Sequence, residues 1–136
     1  MTRTDVHQHL WPDELIGELA RRDRPPYVRK SGSRWRLVMG TEPDHVFDLS
    51  QHDPDVRRSE LAAAGIERAV IALSAPLGIE GLPREEAGGL LESHHSGTLL
   101  LGEPFDAWGS IPLRSPDPAD VDRLIDRGSR RRRRGA

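Results

Sequence analysis

At 136 residues, with 35% hydrophobic and 31% charged side chains, the chain is long enough for one domain with a real core and too apolar to read as disordered. It has no cysteine, which excludes disulfides and thiolate metal sites; the N-terminus lacks a signal-peptide apolar stretch and no window is long enough to span a bilayer, so a cytoplasmic protein with no membrane partner is expected. The net charge of −2 hides an asymmetry: six of the 20 basic side chains fall in residues 127–136, leaving 14 against 22 acids in residues 1–126, a balance of −8 that does not suit nucleic acid.

The first element is a short extended segment, Thr2 to Val6, ending in Asp5-Val6-His7-Gln8-His9. Side chains alternate along a strand, so His7 and His9 share a face and both imidazoles can reach one ion. Neutral histidine nitrogens suit Zn²⁺ and similar divalent metals. The plainer reading is a partly solvated pair near a terminus. Helix signals follow at once: Pro12 as a first helical residue, Asp13 and Glu14 in the first turn, then Leu15, Ile16 and Leu19 at helical spacing. The pair therefore falls at a strand's C-terminal end, the active-site face of a (β/α)₈ barrel.

Arg24-Pro25-Pro26-Tyr27 breaks regularity and Lys30-Ser31-Gly32-Ser33 reads as a loop. Trp35 to Met39 and His45 to Leu49, joined through Gly40 to Asp44, predict a hairpin inserted into the main fold. Asp53, Pro54 and Asp55 then start a helix with Val56, Leu61 and Ala64 as its stripe and Gly65 as its C-terminal cap. Ala69 to Leu73 is a continuous apolar run, the pattern of a parallel strand buried on both faces. Pro83-Arg84-Glu85-Glu86 opens a further helix through Leu90, Leu91 and His94, weakened by Gly88 and Gly89 by about 1 kcal/mol each. Ala107 to Leu113 is expected as a third core strand. Asp117-Pro118 starts a last helix with Val121, Leu124 and Ile125 on one face. Strand and helix in alternation predict an α/β fold with a parallel sheet.

The segment Asp5-Val6-His7-Gln8-His9-Leu10-Trp11-Pro12 resembles the opening of the amidohydrolase-related proteins, in the branch that includes metal-dependent decarboxylases. Ala63-Ala64-Gly65-Ile66-Glu67-Arg68-Ala69-Val70 is similar to that family's second βα unit, as is Ile111-Pro112-Leu113 followed by Asp117-Pro118 and a helix ending Ile125-Asp126-Arg127-Gly128. The resemblance covers residues 3–128. It implies a partial (β/α)₈, TIM-type barrel of about three βα units, where the full barrel needs roughly 250 residues. It also implies a divalent metal ion, Zn by preference, with His7 and His9 matching the first-strand ligands. The family's further ligands, histidines on the fifth and sixth strands and an aspartate on the eighth, have no positions here. The whole family member would act on a small molecule as a hydrolase or non-oxidative decarboxylase; this chain alone would be inactive, and no catalytic residue can be assigned in it.

After Gly128, where the family continues into an apolar fourth strand, this chain has Ser129, five arginines at 130–134, Gly135 and Ala136. Nineteen arginines against one lysine suggest GC-rich coding DNA, and residues 129–136 read as a disordered or frameshifted tail. The alternative is a small α/β binding module using that tail on anionic partners, though no aromatic residues interleave for base stacking. An open sheet edge would also permit self-association. Of the remaining histidines, adjacent His94 and His95 do not share a helix face and are expected near a helix end, His52 is assigned a turn role and His45 an exposed one. Trp11 and Trp35 are expected to pack on the barrel rim. Glu85-Glu86 and Asp120 with Asp122 are expected to face solvent.

Overall fold

In chain order the elements are strand β1 (Thr4–Gln8), helix α1 (Asp13–Arg21), strands β2 (Tyr27–Ser31), β3 (Arg34–Val38) and β4 (His45–Phe47), helix α2 (Pro54–Ala63), strand β5 (Arg68–Ile71), helix α3 (Arg84–Leu100), strand β6 (Phe105–Ala107) and helix α4 (Pro118–Arg134). Short 3₁₀ turns lie at Leu49–His52, Ala75–Leu77 and Ile79–Gly81. These come from a computed structural model that describes residues 1–134. The result is a mixed α/β fold with two three-stranded sheets, a parallel one in the order β1-β5-β6 and an antiparallel one in the order β2-β3-β4.

Local chemistry accounts for the helix boundaries. Asp53 accepts from the Asp55 and Val56 amides, and Pro54 follows at the first helical position of α2. That helix ends in a paired cap, with the Gly65 amide donating to the Ala62 carbonyl and the Ile66 amide to the Leu61 carbonyl. The turn needs a left-handed residue, and Gly65 supplies it at φ +68°. Helix α4 opens on a reciprocal cap. Asp117 Oδ1 accepts from the Ala119 amide at 2.9 Å, while Asp120 Oδ2 accepts from the Asp117 amide at 3.3 Å.

Two cores hold the elements together. Leu15, Ile16 and Leu19 of α1 pack with Val28, Leu37 and Phe47 of the antiparallel sheet and with Ala87, Leu90 and Leu91 of α3. A smaller core of Leu10, Leu61, Ala69, Ile71 and Phe105 joins α2 to the parallel sheet.

The structure corrects several expectations. The excursion after α1 is a three-stranded meander rather than a hairpin, because Tyr27–Ser31 pairs with β3 and buries Val28 opposite Leu37. That strand carries one inward apolar residue, too few to show alternation. The third core strand is Phe105–Ala107, not Ala107 to Leu113. Phe105 is the buried residue paired with Ala69; after the Trp108 amide donates to the Ile71 carbonyl the chain leaves the sheet, and the Leu113 amide bonds to the Glu80 carbonyl instead. Helix α4 does not stop at Gly128 but continues through Arg134, so residues 129–134 are helical; Gly135 and Ala136 of the expected tail lie outside the described residues. Among the described residues the three parallel strands form an open sheet with β1 and β6 at its edges, not a closed barrel. No described helix is long and apolar enough to cross a membrane.

Candidate metal centre

His7 and His9 meet at the C-terminal end of β1. Thr4 and Asp5 pair with Arg68 and Ala69, but Gln8 pairs with Ile71, so β1 carries one extra residue between Asp5 and Gln8. Such an irregularity re-aims side chains. Asp5 holds it: Oδ1 accepts from the His7 amide at 3.0 Å and Oδ2 from the Gln8 side-chain amide at 2.9 Å. These bonds, that of Gln8 first, hold the Asp5 carboxyl below its ordinary pKa. The two imidazoles then converge, with Nε2 atoms 3.3 Å apart and ring planes at 86°. Both residues are exposed.

The second nitrogen of His9 is engaged. Its Nδ1 lies 2.9 Å from the Ala72 carbonyl oxygen, which accepts only if Nδ1 carries the proton. The Nε2 lone pair is thereby left facing His7. A hydrogen bond of this kind on the far nitrogen is how proteins orient a metal-binding imidazole. Two tetrahedral zinc ligands at bond lengths of about 2.0–2.1 Å have nitrogens about 3.3–3.4 Å apart, so the observed separation fits the group. Among the described residues, however, no cluster of three or more His, Cys, Asp or Glu is placed to hold a metal ion. The pair is half a site.

Three of the other four histidines take roles beyond those expected. His52 ends a 3₁₀ turn, but its Nδ1 accepts from the Trp11 amide at 3.0 Å and its ring stacks on the Trp11 indole at 4.2 Å. Burial, helped by the charge of Arg57, pushes its pKa down to about 4. His94 and His95 lie within α3, not near its end, and both are buried. Among the described residues neither His94 nitrogen has a hydrogen-bond partner, and burial, then the charges of His95 and His9, lowers its pKa to about 4. His95 Nε2 accepts from the Ser110 amide at 2.9 Å, so these are neutral interior groups rather than cations capping a helix. Trp11 is a core residue and Trp35 packs beside it; His45 is exposed.

Two acidic residues expected in solvent are not there. Glu86 bridges Arg22, at 3.0 Å, and Arg24. Asp120 is buried, held by Arg84 at 2.6 Å and by Arg123; the Arg84 bonds above all pull its pKa down to about 2. Together with Arg127 they line a cleft of about 210 Å³ between α3 and α4. Arg127 in turn pairs with Glu92, so the charges in that cleft are spent on one another. Spacing could not reveal Ala72 and Ser74, which reach the site from the segment after β5. For Asp120 the one local signal was its place as the third helical residue after the Asp117 cap, which does not show its burial.

A parallel sheet with helices packed on it and two histidines at a strand's C-terminal end is the layout of an α/β fold that binds ligands at its strand ends. No protein-family model matches the chain and no curated protein matches it. Among solved structures 22 chains match, including a crystal structure of Metarhizium anisopliae IDCase in apo form. The chain is similar to that protein with a TM-score of 0.70 and 21% sequence identity over 90% of its own length. It spans 39% of the IDCase chain. At that identity the likeness carries the fold.

Proposed function

We propose that residues 1–128 are the N-terminal portion of an amidohydrolase-like barrel, about its first three βα units, and that His7 and His9 are its first-strand metal ligands. The complete enzyme would be a divalent-metal-dependent hydrolase or non-oxidative decarboxylase acting on a small molecule. The chain of 136 residues is inactive alone, because two ligands do not make a catalytic site. The observation that carries this reading is the convergence of the two Nε2 atoms at 3.3 Å with His9 Nδ1 tied back to Ala72. The IDCase fold likeness supports it, since 90% of this chain matches 39% of that one.

A bound divalent ion would lower the pKa of a water molecule or polarise a substrate carbonyl or carboxylate. This chain's part is to present two neutral imidazoles. Asp5 sets the strand irregularity that turns His7, and Ala72 fixes the His9 proton on Nδ1. Zinc is the preferred ion because imidazole at this spacing suits tetrahedral coordination.

The test is Zn²⁺ titration by calorimetry with metal analysis of the purified chain. One ion per chain, readily stripped by a chelator and lost in both His7→Ala and His9→Ala, is the expected result. Uptake that is absent in the parent, or unchanged in both variants, overturns the assignment.

A further inference from the structure

The pairing of β1 with β5 does not end where their backbones part. Gln8 pairs with Ile71, and the Ala72 amide donates to the Gln8 carbonyl at 2.8 Å. From there side chains continue the ladder at a constant separation of 63 residues. His9 Nδ1 donates to the Ala72 carbonyl at 2.9 Å, and Trp11 Nε1 donates to Ser74 Oγ at 3.0 Å. Leu10, between these two rungs, is buried in the smaller core. The second rung is braced from the meander side, where His52 accepts the Trp11 amide and stacks on its indole with planes 11° apart. Arg57 of α2 closes the other side, donating to Gln8 Oε1 at 3.1 Å and to the His9 carbonyl at 3.2 Å.

We infer that Trp11, Ser74 and His52 are positioning residues that hold the His7–His9 pair in its ligating form, an inference resting on the metal reading of that pair for its functional consequence. Residues 9–12 belong to no strand or helix, so no backbone ladder fixes the His9 ring. The fixing comes from the rung two residues on. A buried indole N–H needs an acceptor, and Ser74 Oγ provides it. His52 must keep Nδ1 unprotonated to accept the Trp11 amide, which locks the other side of the same residue. With Trp11 pinned at both ends, His9 stays within reach of Ala72 and its proton stays on Nδ1. Ligand geometry tolerates only about 0.5 Å of error, so loosening the Trp11 rung releases the His9 rung. If Trp11 and Ser74 only filled the core, their loss would lower stability and leave the His9 tautomer alone.

The experiment is nitrogen-15 NMR of the imidazoles in the metal-free full chain, followed by Zn²⁺ titration, for the parent, Ser74→Ala, Ser74→Thr and Trp11→Phe. The parent and Ser74→Thr are expected to show His9 as a single Nδ1–H tautomer. Ser74→Ala and Trp11→Phe should show a mixture with the Nε2–H form, and their Zn²⁺ affinity should fall about tenfold. Trp11→Phe keeps an aromatic ring in the core, and Ser74→Ala removes a single hydroxyl oxygen, so at least one variant reports on a folded chain. An unchanged His9 tautomer in both variants overturns the inference. A tautomer shift with no Zn²⁺ uptake by any form, the parent included, supports the ladder and overturns the metal reading instead.

Discussion

The two edges of the parallel sheet are built from similar sequence material and end up in opposite states. At the β1 edge, α1 is inserted between the meander and α3, and Leu15 and Leu19 are wholly buried. At the β6 edge, α4 carries an equally regular apolar stripe, yet Val121 is 45% and Ile125 59% exposed, beside Leu113 at 62% and Trp108 at 54%. Leu124, packed on Gly109, is the residue of that stripe that finds cover. An amphipathic stripe says which side of a helix wants a partner; burial follows only where a second element arrives. What holds α4 in place is polar, the Arg84–Asp120 and Arg127–Glu92 pairs to α3.

This contrast can be broken by mutation. Leu19→Ala at the packed edge should cost about 2–5 kcal/mol in urea unfolding. Ile125→Ala should stay within about 0.5 kcal/mol, as surface changes do. Equal losses at the two positions would mean that the α4 stripe is covered in solution. Acid should strike the packed side first. His52 and His94 both have pKa values lowered to about 4, below the ordinary 6.5, so the unfolded chain binds protons that the folded one refuses. Their contribution is complete above pH 6.5 and is lost as pH falls toward 4, up to about 3 kcal/mol for the fully buried His94. Unfolding midpoints measured across that window should fall steeply with acid, and less so in His94→Leu. Asp120, held at about 2, keeps the α3–α4 contact until lower pH, its contribution present above 3.8 and lost only as pH falls through about 2.

Two glycines give the finer comparison. A Cβ on Gly97 would lie 2.7 Å from Pro12 Cβ and 2.5 Å from Glu14 Oε2, at the contact of α3 with α1. The proline ring has no rotamer to yield, so Gly97→Ala should lose about 1–3 kcal/mol from overpacking, less about 1 kcal/mol regained from helix propensity. A Cβ on Gly128 meets nothing within 4 Å, so Gly128→Ala in α4 should raise stability by up to about 1 kcal/mol. Thermal melts of the two variants should therefore move in opposite directions.

Much of this was legible in advance where the signal was local. The Asp53-Pro54 start and the Gly65 stop of α2 depend on atoms a few residues apart, and the structure forms both. The run from Ala69 to Leu73 reads as a strand buried on both faces because it is continuously apolar, and Ala69, Ile71, Ala72 and Leu73 are buried with Val70 half-buried. Strand β2 escaped notice because a meander strand with one inward side chain carries no period. The third strand was placed too late because the chain after Ala107 keeps apolar residues while leaving the ladder. Trp108 still bonds to the Ile71 carbonyl through its amide and to the Val6 carbonyl through its indole, and the Leu113 amide turns to Glu80.

The sequence by itself determined where the helices begin and where α2 ends, which stripe of each is apolar, and that two histidines one residue apart stand at the end of the first strand. Those properties follow from backbone geometry and capping within one or two turns of chain. Only the tertiary structure decided that His9 carries its proton on Nδ1, that His52 and Ser74 brace Trp11, that Asp120 is buried between two arginines and that Val121 and Ile125 stay open. Each of these depends on the register of β1 against β5, or on which element lies across from another. A one-residue irregularity between Asp5 and Gln8 sets that register, and it turns on contacts more than sixty positions away along the chain.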